Sequence, residues 1–209
     1  FIGSALTERL RALGWRVRAV GRGAGVHAGG IECGELAAAE PTQLDNWLFG
    51  VDAVFHLAGR AHRRDTGSEL DRYARHRLDN VATTRHLFSA AQRNSVPRFV
   101  YLSSIKVLGD FGPQPFSETS RPNPRDVYAQ TKLEAERELE DSLSKGRTAV
   151  SIVRPPLVYG PGVKGNFASL LRTVARGWPL PLGRAVAPRS LIARANLVGL
   201  LVAAAGDSA

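Results

Sequence analysis

Serine, tyrosine and lysine side chains in the middle of the chain have the chemistry and the spacing needed to move a proton. The pair Ser103-Ser104 follows a short apolar run over residues 99–102, which is typical of the end of a buried strand. Tyr128 and Lys132 lie four residues apart in a helical pattern, so they share one face of that helix. We predict that the Lys132 charge and the helix N-terminus lower the pKa of the Tyr128 phenol. Such a tyrosine would work as a general acid or base, with a serine hydroxyl on its oxygen.

The spacing alone is a weak signal, because a tyrosine and a lysine four residues apart also occur by chance on surface helices. The wider pattern adds an independent argument. Strands are predicted at 16–20, 31–36, 53–57, 99–102 and 149–153, and helices at 3–13, 42–49, 68–94 and 126–145, the last with Asp126 as its N-cap. This alternation predicts an α/β fold with right-handed crossovers and a mainly parallel, doubly wound sheet.

In such a sheet, ligands bind outside the carboxyl ends of the strands. The predicted strand ends lie at Gly21-Arg22, Gly34-Glu35, Ala58-Gly59, Ser103-Ser104 and Arg154-Pro155-Pro156. The small-residue turns and the candidate catalytic side chains therefore meet at one edge of the sheet. After Arg154 the pattern loosens into a proline-rich stretch with helices predicted at about 167–176 and 195–205. We predict one domain over 1–154 and the start of a smaller lobe over 155–209, with segments that return to the first domain.

Composition excludes several classes of protein. The 209 residues contain 44% hydrophobic and 22% charged residues, which is ordinary for a globular protein. A lone cysteine, Cys33, permits no internal disulfide and indicates a cytosolic setting, where it would be a small core residue. No apolar run is long enough to span a membrane, and no signal peptide is visible.

The net charge of +9 comes from arginines scattered along the chain, without the basic cluster and interleaved aromatics of a nucleic-acid site. We therefore expect a solvated basic surface and no nucleic-acid partner. A basic surface would attract an anionic ligand such as a nucleotide diphosphate. The chain has no methionine, so it is interpreted as a fragment whose two ends are cuts.

At this point a set of stretches resembles a known family. They are Phe1-Ile-Gly-Ser-Ala-Leu, His56-Leu-Ala-Gly, Asn80-Val-x-x-Thr, Phe99-Val-Tyr-Leu-Ser-Ser, Tyr128-x-x-x-Lys132 and Arg154-Pro-Pro-Leu-Val-Tyr-Gly-Pro-Gly162. In this order they resemble the extended short-chain dehydrogenase/reductases, specifically NAD-dependent epimerase/dehydratase proteins that act on nucleotide sugars. The resemblance covers nearly the whole chain and implies a Rossmann-like fold that binds NAD or NADP.

The resemblance also implies residue roles. Ser104 matches the catalytic serine, Tyr128 the acid/base, and Lys132 the residue that binds the nicotinamide ribose and tunes the tyrosine. Asn80 matches a residue that supports the active-site strands. The other implied cofactor-binding residues are Phe1, Ile2, Gly3, Arg22, Glu35, Leu57, Ala58, Gly59 and Pro155, and the implied substrate-binding residues are Ser104, Asn166 and Arg189. Gly3 matches the last glycine of the dinucleotide fingerprint, which lets the first helix approach its strand.

The chain departs from the family pattern at two places. Gly21 replaces the usual acidic residue after the second strand, and Arg22 follows it, so NADP is expected to bind at least as well as NAD. Ala193 and Ala195 replace a common tyrosine and aspartate, which leaves the substrate contacts of that segment open. Simpler interpretations also stay open for single residues: a solvated Arg22, a helix-capping Asn166 and a merely packed His56.

The expected activity is an epimerase or a 4-keto-reductase on a UDP-hexose or UDP-N-acetylhexose in bacterial surface-polysaccharide synthesis. A 4,6-dehydratase is disfavoured because Ile105-Lys106 replace the Asp-Glu pair of those enzymes. The alternative is a non-catalytic, dinucleotide-binding sensor of the same fold. Whether the protein is a homodimer is left open.

The resemblance places a central first strand and the leading glycines of the phosphate loop before Phe1. We therefore expect that residues 1–209 alone neither turn over substrate nor bind a dinucleotide tightly, because the strands beside that position would lack their neighbour.

Overall fold

The computed structural model of the protein describes residues 1–21, 26–27, 31–32, 36–61, 68–112, 114–143, 147–163, 165–179 and 189–206. Its helices are α1 (Ile2–Ala12), α2 (Pro41–Leu48), α3 (Glu69–Arg77), α4 (Thr83–Arg93), α5 (Val127–Ser142), α6 (Gly165–Ala175) and α7 (Arg194–Gly206). Its strands are β1 (Val26–His27), β2 (Ile31–Glu32), β3 (Ala53–His56), β4 (Arg98–Leu102), β5 (Ala149–Val153), β6 (Leu157–Tyr159) and β7 (Leu191–Ala193). One π-helical turn, Leu78–Ala82, joins α3 to α4, and a 3₁₀ turn, Ile105–Leu108, follows β4.

The central sheet is parallel and has the order β3-β4-β5. Ala53 pairs with Arg98, and Arg98 pairs with Ala149, so the three strands start at one level. Their carboxyl ends consequently lie side by side, which is where an α/β sheet binds its ligands. The predicted strands at 53–57, 99–102 and 149–153 are confirmed.

Helices cover both faces of this sheet, as the doubly wound prediction requires. On β4, Phe99 and Tyr101 point to a core cluster with α2, α4 and α5. Val100 and Leu102 point to the opposite cluster, which contains residues of α1 and α7. The alternation of side chains along a strand explains why this apolar run is buried on both sides.

Local sequence signals explain where the helices begin and end. Asp126 caps α5 by accepting a hydrogen bond from the Ala129 amide at 2.7 Å, as predicted. Ser68 and Asp71 form a capping box at the start of α3, and Pro41 occupies the first turn of α2. Gly14 follows α1 with a φ of +83°, a conformation that favours glycine and ends the helix.

Two strand predictions are wrong or only partly right. Residues 16–20 belong to no sheet of the described chain, because a strand exists only where a neighbour accepts its hydrogen bonds, and the described strand beside β3 is β4. The predicted strand 31–36 is shorter: β2 forms an antiparallel hairpin with β1, and Leu36–Ala38 is a 3₁₀ turn. Residues 33–35 lie outside the described part.

Residues after 155 contain a strand pair that the proline-rich sequence did not predict. β6 pairs with β7 in parallel, with Leu157 opposite Leu191. The two predicted helices of this stretch are present as α6 and α7. Leu197 and Leu201 of α7 are buried against Leu6 and Leu10 of α1, so this segment packs on the first domain's core. The division at residue 155 stays a prediction. No helix of the described residues is long and apolar enough to cross a membrane.

Candidate active site

The carboxyl end of β4 and the first turns of α5 bring Ser104 and Tyr128 together. Ser104 follows the strand by two residues, and its hydroxyl accepts a hydrogen bond from the Lys106 amide at 3.3 Å. Its side chain also lies near enough to the Tyr128 phenol to lower the pKa of that phenol as a hydrogen-bonding neighbour. The predicted contact between a serine at a strand end and a tyrosine at a helix start is therefore present.

The predicted direction of the Tyr128 pKa is wrong for the protein without a bound ligand. Burial raises the pKa of the Tyr128 phenol above its ordinary value, the Ser104 hydrogen bond lowers it in part, and the Asp126 charge raises it. Loss of water destabilises the phenolate more than one hydrogen bond stabilises it. The Lys132 ammonium does not offset this, because it is directed to the end of β4.

Lys132 is buried, with 3% of its surface exposed. Its Nζ donates a hydrogen bond to the Leu102 carbonyl at 2.9 Å and lies 4.6 Å from the centre of the Tyr101 ring. Burial lowers the pKa of Lys132 to about 8, and the Glu136 charge partly opposes this shift. The site thus contains a cation that is close to losing its proton near neutral pH.

Asn80 connects the end of β3 to α5. It lies in the π-helical turn, which directs a buried side chain towards the sheet. Its Oδ1 accepts a hydrogen bond from the Arg60 amide at 2.7 Å, and its Nδ2 donates to the Thr131 hydroxyl at 3.0 Å. Thr131 directly precedes Lys132, so Asn80 fixes the turn after β3 against the catalytic helix. This geometry agrees with the supporting position that the resemblance implies for Asn80.

Gly59 marks the closest approach in the site. A Cβ at this position would lie 3.0 Å from Asn80 Oδ1 and 3.1 Å from Lys132 Nζ, so a side chain here would displace one of them. The turn of residues 57–59 therefore presents backbone rather than side chains beside Lys132. An elongated ligand can lie against such a turn, which fits the cofactor contact predicted for Leu57, Ala58 and Gly59.

The remaining predicted cofactor residues lie at three places. Phe1, Ile2 and Gly3 form the start of α1, where no side chain among the described residues caps the helix. Pro155 is buried after β5, and its carbonyl accepts a hydrogen bond from the Ile105 amide at 3.0 Å. Arg22 and Glu35 lie outside the described residues.

Asn166 and Arg189, the other two predicted substrate residues, make no contact with the site among the described residues. Asn166 lies in the first turn of α6, and its side chain is outside the described part. Arg189 is exposed two residues before β7. Both roles stay predictions.

Lys106 is held by an acidic residue at the mouth of the site. Its Nζ lies 2.6 Å from an Asp126 carboxylate oxygen, and both side chains are about one third exposed. This ion pair joins the 3₁₀ turn after Ser104 to the N-cap of α5. The position that carries a carboxylate in dehydratases therefore holds a paired cation here.

His56 is packed inside the sheet, as its simpler interpretation requires. It is 1% exposed and lies 2.9 Å from the Thr84 hydroxyl. Burial, with the nearby Lys132 charge, lowers the pKa of His56 to about 3, so it stays neutral.

Three polar residues near the site were missed by the sequence analysis: Thr131, Glu136 and Arg154. Glu136 was detectable in principle, because it is four residues after Lys132 among the apolar positions Leu133, Ala135 and Leu139. A carboxylate on the buried side of a helix requires a buried cation as its partner. Periodicity does not tell which cation that is.

Comparison with known proteins now adds to this geometry. A model of the NAD dependent epimerase/dehydratase family matches residues 1–204. The chain belongs to this family. The expected fold, a Rossmann-like doubly wound sheet, and the resemblance drawn from the motifs are confirmed by this match.

Two curated members of the epimerase/dehydratase family show how far the likeness extends. A UDP-glucose 4-epimerase of Vibrio cholerae is 39% identical over 175 residues, which cover 82% of this chain and 52% of the relative. An N-acetyl-alpha-D-glucosaminyl-diphospho-ditrans,octacis-undecaprenol 4-epimerase of Escherichia coli O157:H7 is 31% identical over 158 residues, covering 74% and 46%. The chain thus spans about half the length of these curated relatives.

A solved structure shows the same fold. MoeE5 in complex with UDP-glucose and NAD is 30% identical, has a TM-score of 0.83, and aligns with 98% of this chain and 68% of its own. The parallel sheet with helices on both faces is therefore the family architecture.

Proposed function

We propose that the protein is part of an NAD(P)-dependent epimerase or 4-keto-reductase that acts on a UDP-hexose or UDP-N-acetylhexose. The observation that carries the proposal is the placement of Ser104 at the end of β4 beside Tyr128, with the buried Lys132 on the same helix donating to the Leu102 carbonyl. A partly buried phenol with a hydroxyl partner and a nearby cation is suited to exchange a proton with a sugar hydroxyl. The similarity to a UDP-glucose 4-epimerase and to a structure with UDP-glucose and NAD supports this substrate class.

In this proposal each side chain has one task. Tyr128 removes the proton from the sugar hydroxyl, or returns it, at its phenolic oxygen. Ser104 holds the same hydroxyl by a hydrogen bond and so orients it towards Tyr128. Lys132, held at the end of β4 by its hydrogen bond to the Leu102 carbonyl, would contact the nicotinamide ribose.

The described residues fit a nicotinamide dinucleotide. The first amide groups at the start of α1 would receive its pyrophosphate, and the turn of residues 57–59 with Lys132 and Pro155 would border its nicotinamide end. The bound nicotinamide would accept a hydride from the sugar carbon and give it back. The raised pKa of Tyr128 in the unliganded protein implies that the phenol is neutral before ligand binds, so it cannot act as a base until its surroundings change.

The ion pair of Lys106 with Asp126 supports an epimerase or a reductase over a dehydratase. Loss of a sugar hydroxyl as water needs an acid at this position, and a lysine held 2.6 Å from a carboxylate is a poor substitute. The pathway proposed for the product is bacterial surface-polysaccharide synthesis. This pathway is supported by the relative whose name includes a diphospho-undecaprenol substrate.

The test is turnover by the full-length protein to which residues 1–209 belong, with a panel of UDP-hexoses, UDP-N-acetylhexoses and their 4-keto derivatives, each with NAD and with NADP. An epimerase converts the hexoses without net change in nicotinamide absorbance. A reductase consumes reduced nicotinamide only with the 4-keto sugars. Tyr128→Phe is the negative control.

A non-catalytic sensor of the same fold is the competing proposal, and the same assay separates it. A sensor would bind NAD(P) in a calorimetric titration but convert no sugar, and Tyr128→Phe would leave its binding unchanged. Absence of both turnover and dinucleotide binding in the full-length protein would contradict both proposals.

A further inference from the structure

An ion pair behind the candidate site joins α5 to the end of β5. Glu136 is 1% exposed, and its two carboxylate oxygens accept hydrogen bonds from the Arg154 guanidinium at 3.0 and 2.7 Å. The contact is bidentate, which fixes both distance and orientation between the two side chains. The Glu136 charge in turn raises the pKa of Arg154.

Arg154 lies between the two backbone carbonyls that hold the serine. The Val153 carbonyl accepts from the Ser103 amide at 2.8 Å, and the Pro155 carbonyl accepts from the Ile105 amide at 3.0 Å. These two hydrogen bonds stand on either side of Ser104. Whatever fixes Arg154 therefore fixes the segment from which the Ser104 hydroxyl reaches Tyr128.

Glu136 also lies on the helix that carries the other two catalytic candidates. It comes one helical turn after Lys132 and two turns after Tyr128. One carboxylate thus connects the helix bearing Tyr128 and Lys132 to the strand end that supports Ser104. In the described residues, the titratable groups near Lys132 come from three elements: Tyr101 on β4, the neutral His56 on β3 and Glu136 on α5.

We propose that the Glu136–Arg154 pair is the positioning element of the site: it sets Ser104 against Tyr128 and holds a carboxylate one helical turn after Lys132. The inference rests on the proposed function for its catalytic meaning. Stability alone is a poor explanation for the pair, because a buried ion pair often contributes no more than apolar residues of the same volume.

The test compares Glu136→Gln with Glu134→Gln. Glu134 is a matched control, since it lies on the same helix and also pairs with an arginine, Arg77, at 3.0 Å, but on the outer side. Two readouts need no substrate. One is amide hydrogen exchange along β4, and the other is NMR titration of the ¹³Cε signal of Lys132, which can be assigned because the sequence contains only four lysines.

In Glu136→Gln we expect the Ser103 and Ile105 amides to exchange about tenfold faster relative to Val100 in the middle of the strand. We also expect the pKa of Lys132 to fall below its value of about 8, because the one acid that raises it is gone. Glu134→Gln should leave the exchange ratio and the Lys132 titration unchanged.

Arg154→Lys provides a second variant should Glu136→Gln fail to fold. It keeps the positive charge but loses the bidentate geometry, so it should raise the Ser103 and Ile105 exchange and leave the Lys132 pKa nearly unchanged. Two outcomes would overturn the proposal and leave a purely structural ion pair. One is uniformly faster exchange throughout β4, and the other is that Glu136→Gln changes the exchange ratio and the Lys132 titration no more than Glu134→Gln does. Because neither readout involves a sugar, failure of the proposed function would not mimic either outcome.

Discussion

Lys132 and Gly3 are both predicted to bind the cofactor, and their surroundings are opposite. Lys132 is 3% exposed and lies among partners from β3, β4 and its own helix. Gly3 is exposed at the start of α1, and an added Cβ there would have no atom within 4 Å. Lys132 is held by its neighbours, whereas no described atom lies within 4 Å of a Cβ at Gly3.

This difference separates two ways of losing function. At Lys132, a substitution removes a group or breaks a hydrogen bond, so the chemistry or the fold suffers even without a ligand. At Gly3, an added Cβ meets no described atom, so we expect the stability of residues 1–209 to be unharmed and ligand binding to report the change. Gly59 is an intermediate case, because it has no side chain of its own but is closely surrounded by neighbouring atoms.

The largest effect is expected from Tyr128→Phe. The change removes the one oxygen proposed to exchange a proton with substrate, so kcat should fall by about 10²–10⁴-fold or more. Dinucleotide affinity should stay nearly intact, because the ring and its packing remain. Steady-state kinetics with UDP-glucose and calorimetric titration of NAD measure the two quantities. Tyr73→Phe on α3 is the control, and an unchanged kcat in Tyr128→Phe would mean that another group moves the proton.

Gly59→Ala should destabilise the free protein by about 2 kcal/mol, the usual cost of overpacking. The new methyl group would press on Asn80 Oδ1 and Lys132 Nζ, which are held by hydrogen bonds to Arg60 and Leu102. Urea unfolding measures the loss. Gly199→Ala in α7, where an added Cβ meets nothing within 4 Å, is the control. Equal stability of the two variants would show that residues 57–59 shift at little cost to make room for the methyl group.

The same contrast explains how much could be predicted from the sequence. The elements that carry Ser104, Tyr128 and Lys132 were predicted because local sequence signals indicate each of them. These signals are an apolar run, an N-cap at Asp126 and a four-residue spacing. The resemblance supplied Asn80, which periodicity would have placed as one polar residue in a long helix. The π-helical turn that directs it inward has no comparable local signal.

Other features depend on tertiary context that sequence patterns do not contain. The Tyr128 pKa was predicted in the wrong direction because spacing shows the lysine but not the degree of burial. The Glu136–Arg154 pair joins residues 18 positions apart through a contact that no motif encodes. Residues 16–20 show strand propensity, but a strand also needs a neighbour, and β3 pairs only with β4 in the described sheet.

Lys132→Met should stabilise the protein by about 1–2 kcal/mol at neutral pH while it abolishes turnover. Burial lowers the Lys132 pKa from 10.5 to about 8, so folding works against a protonated lysine, at a cost of about 3 kcal/mol at neutral pH. Loss of the hydrogen bond to the Leu102 carbonyl offsets about 1 kcal/mol of the gain.

The pH dependence of this difference checks its cause. Between about 8 and 10.5 the unfolded chain still holds the proton that the folded protein has lost, so the parent protein gains stability as pH rises. The advantage of Lys132→Met should therefore shrink across this window, as measured by urea unfolding at several pH values. A constant difference would indicate that the methionine simply packs better.

Gly3→Ala is expected to have the smallest effect on the fold and the most selective effect on binding. In residues 1–209 the new methyl group meets no described atom within 4 Å, and alanine is favoured over glycine in a helix, so the free energy of unfolding of this chain should rise by about 0.5 kcal/mol. In the complex the same methyl group would stand beside the first amide groups of α1, where the pyrophosphate is proposed to lie. NAD affinity should therefore fall about fivefold, a loss of about 1 kcal/mol. Thermal unfolding and calorimetric titration of NAD report the two effects separately.

Gly199→Ala should show the same gain in stability with unchanged NAD affinity, because α7 is not proposed to contact the cofactor. If Gly3→Ala binds NAD as tightly as the parent protein, the start of α1 is not the pyrophosphate site, and the contrast between Lys132 and Gly3 fails at that point.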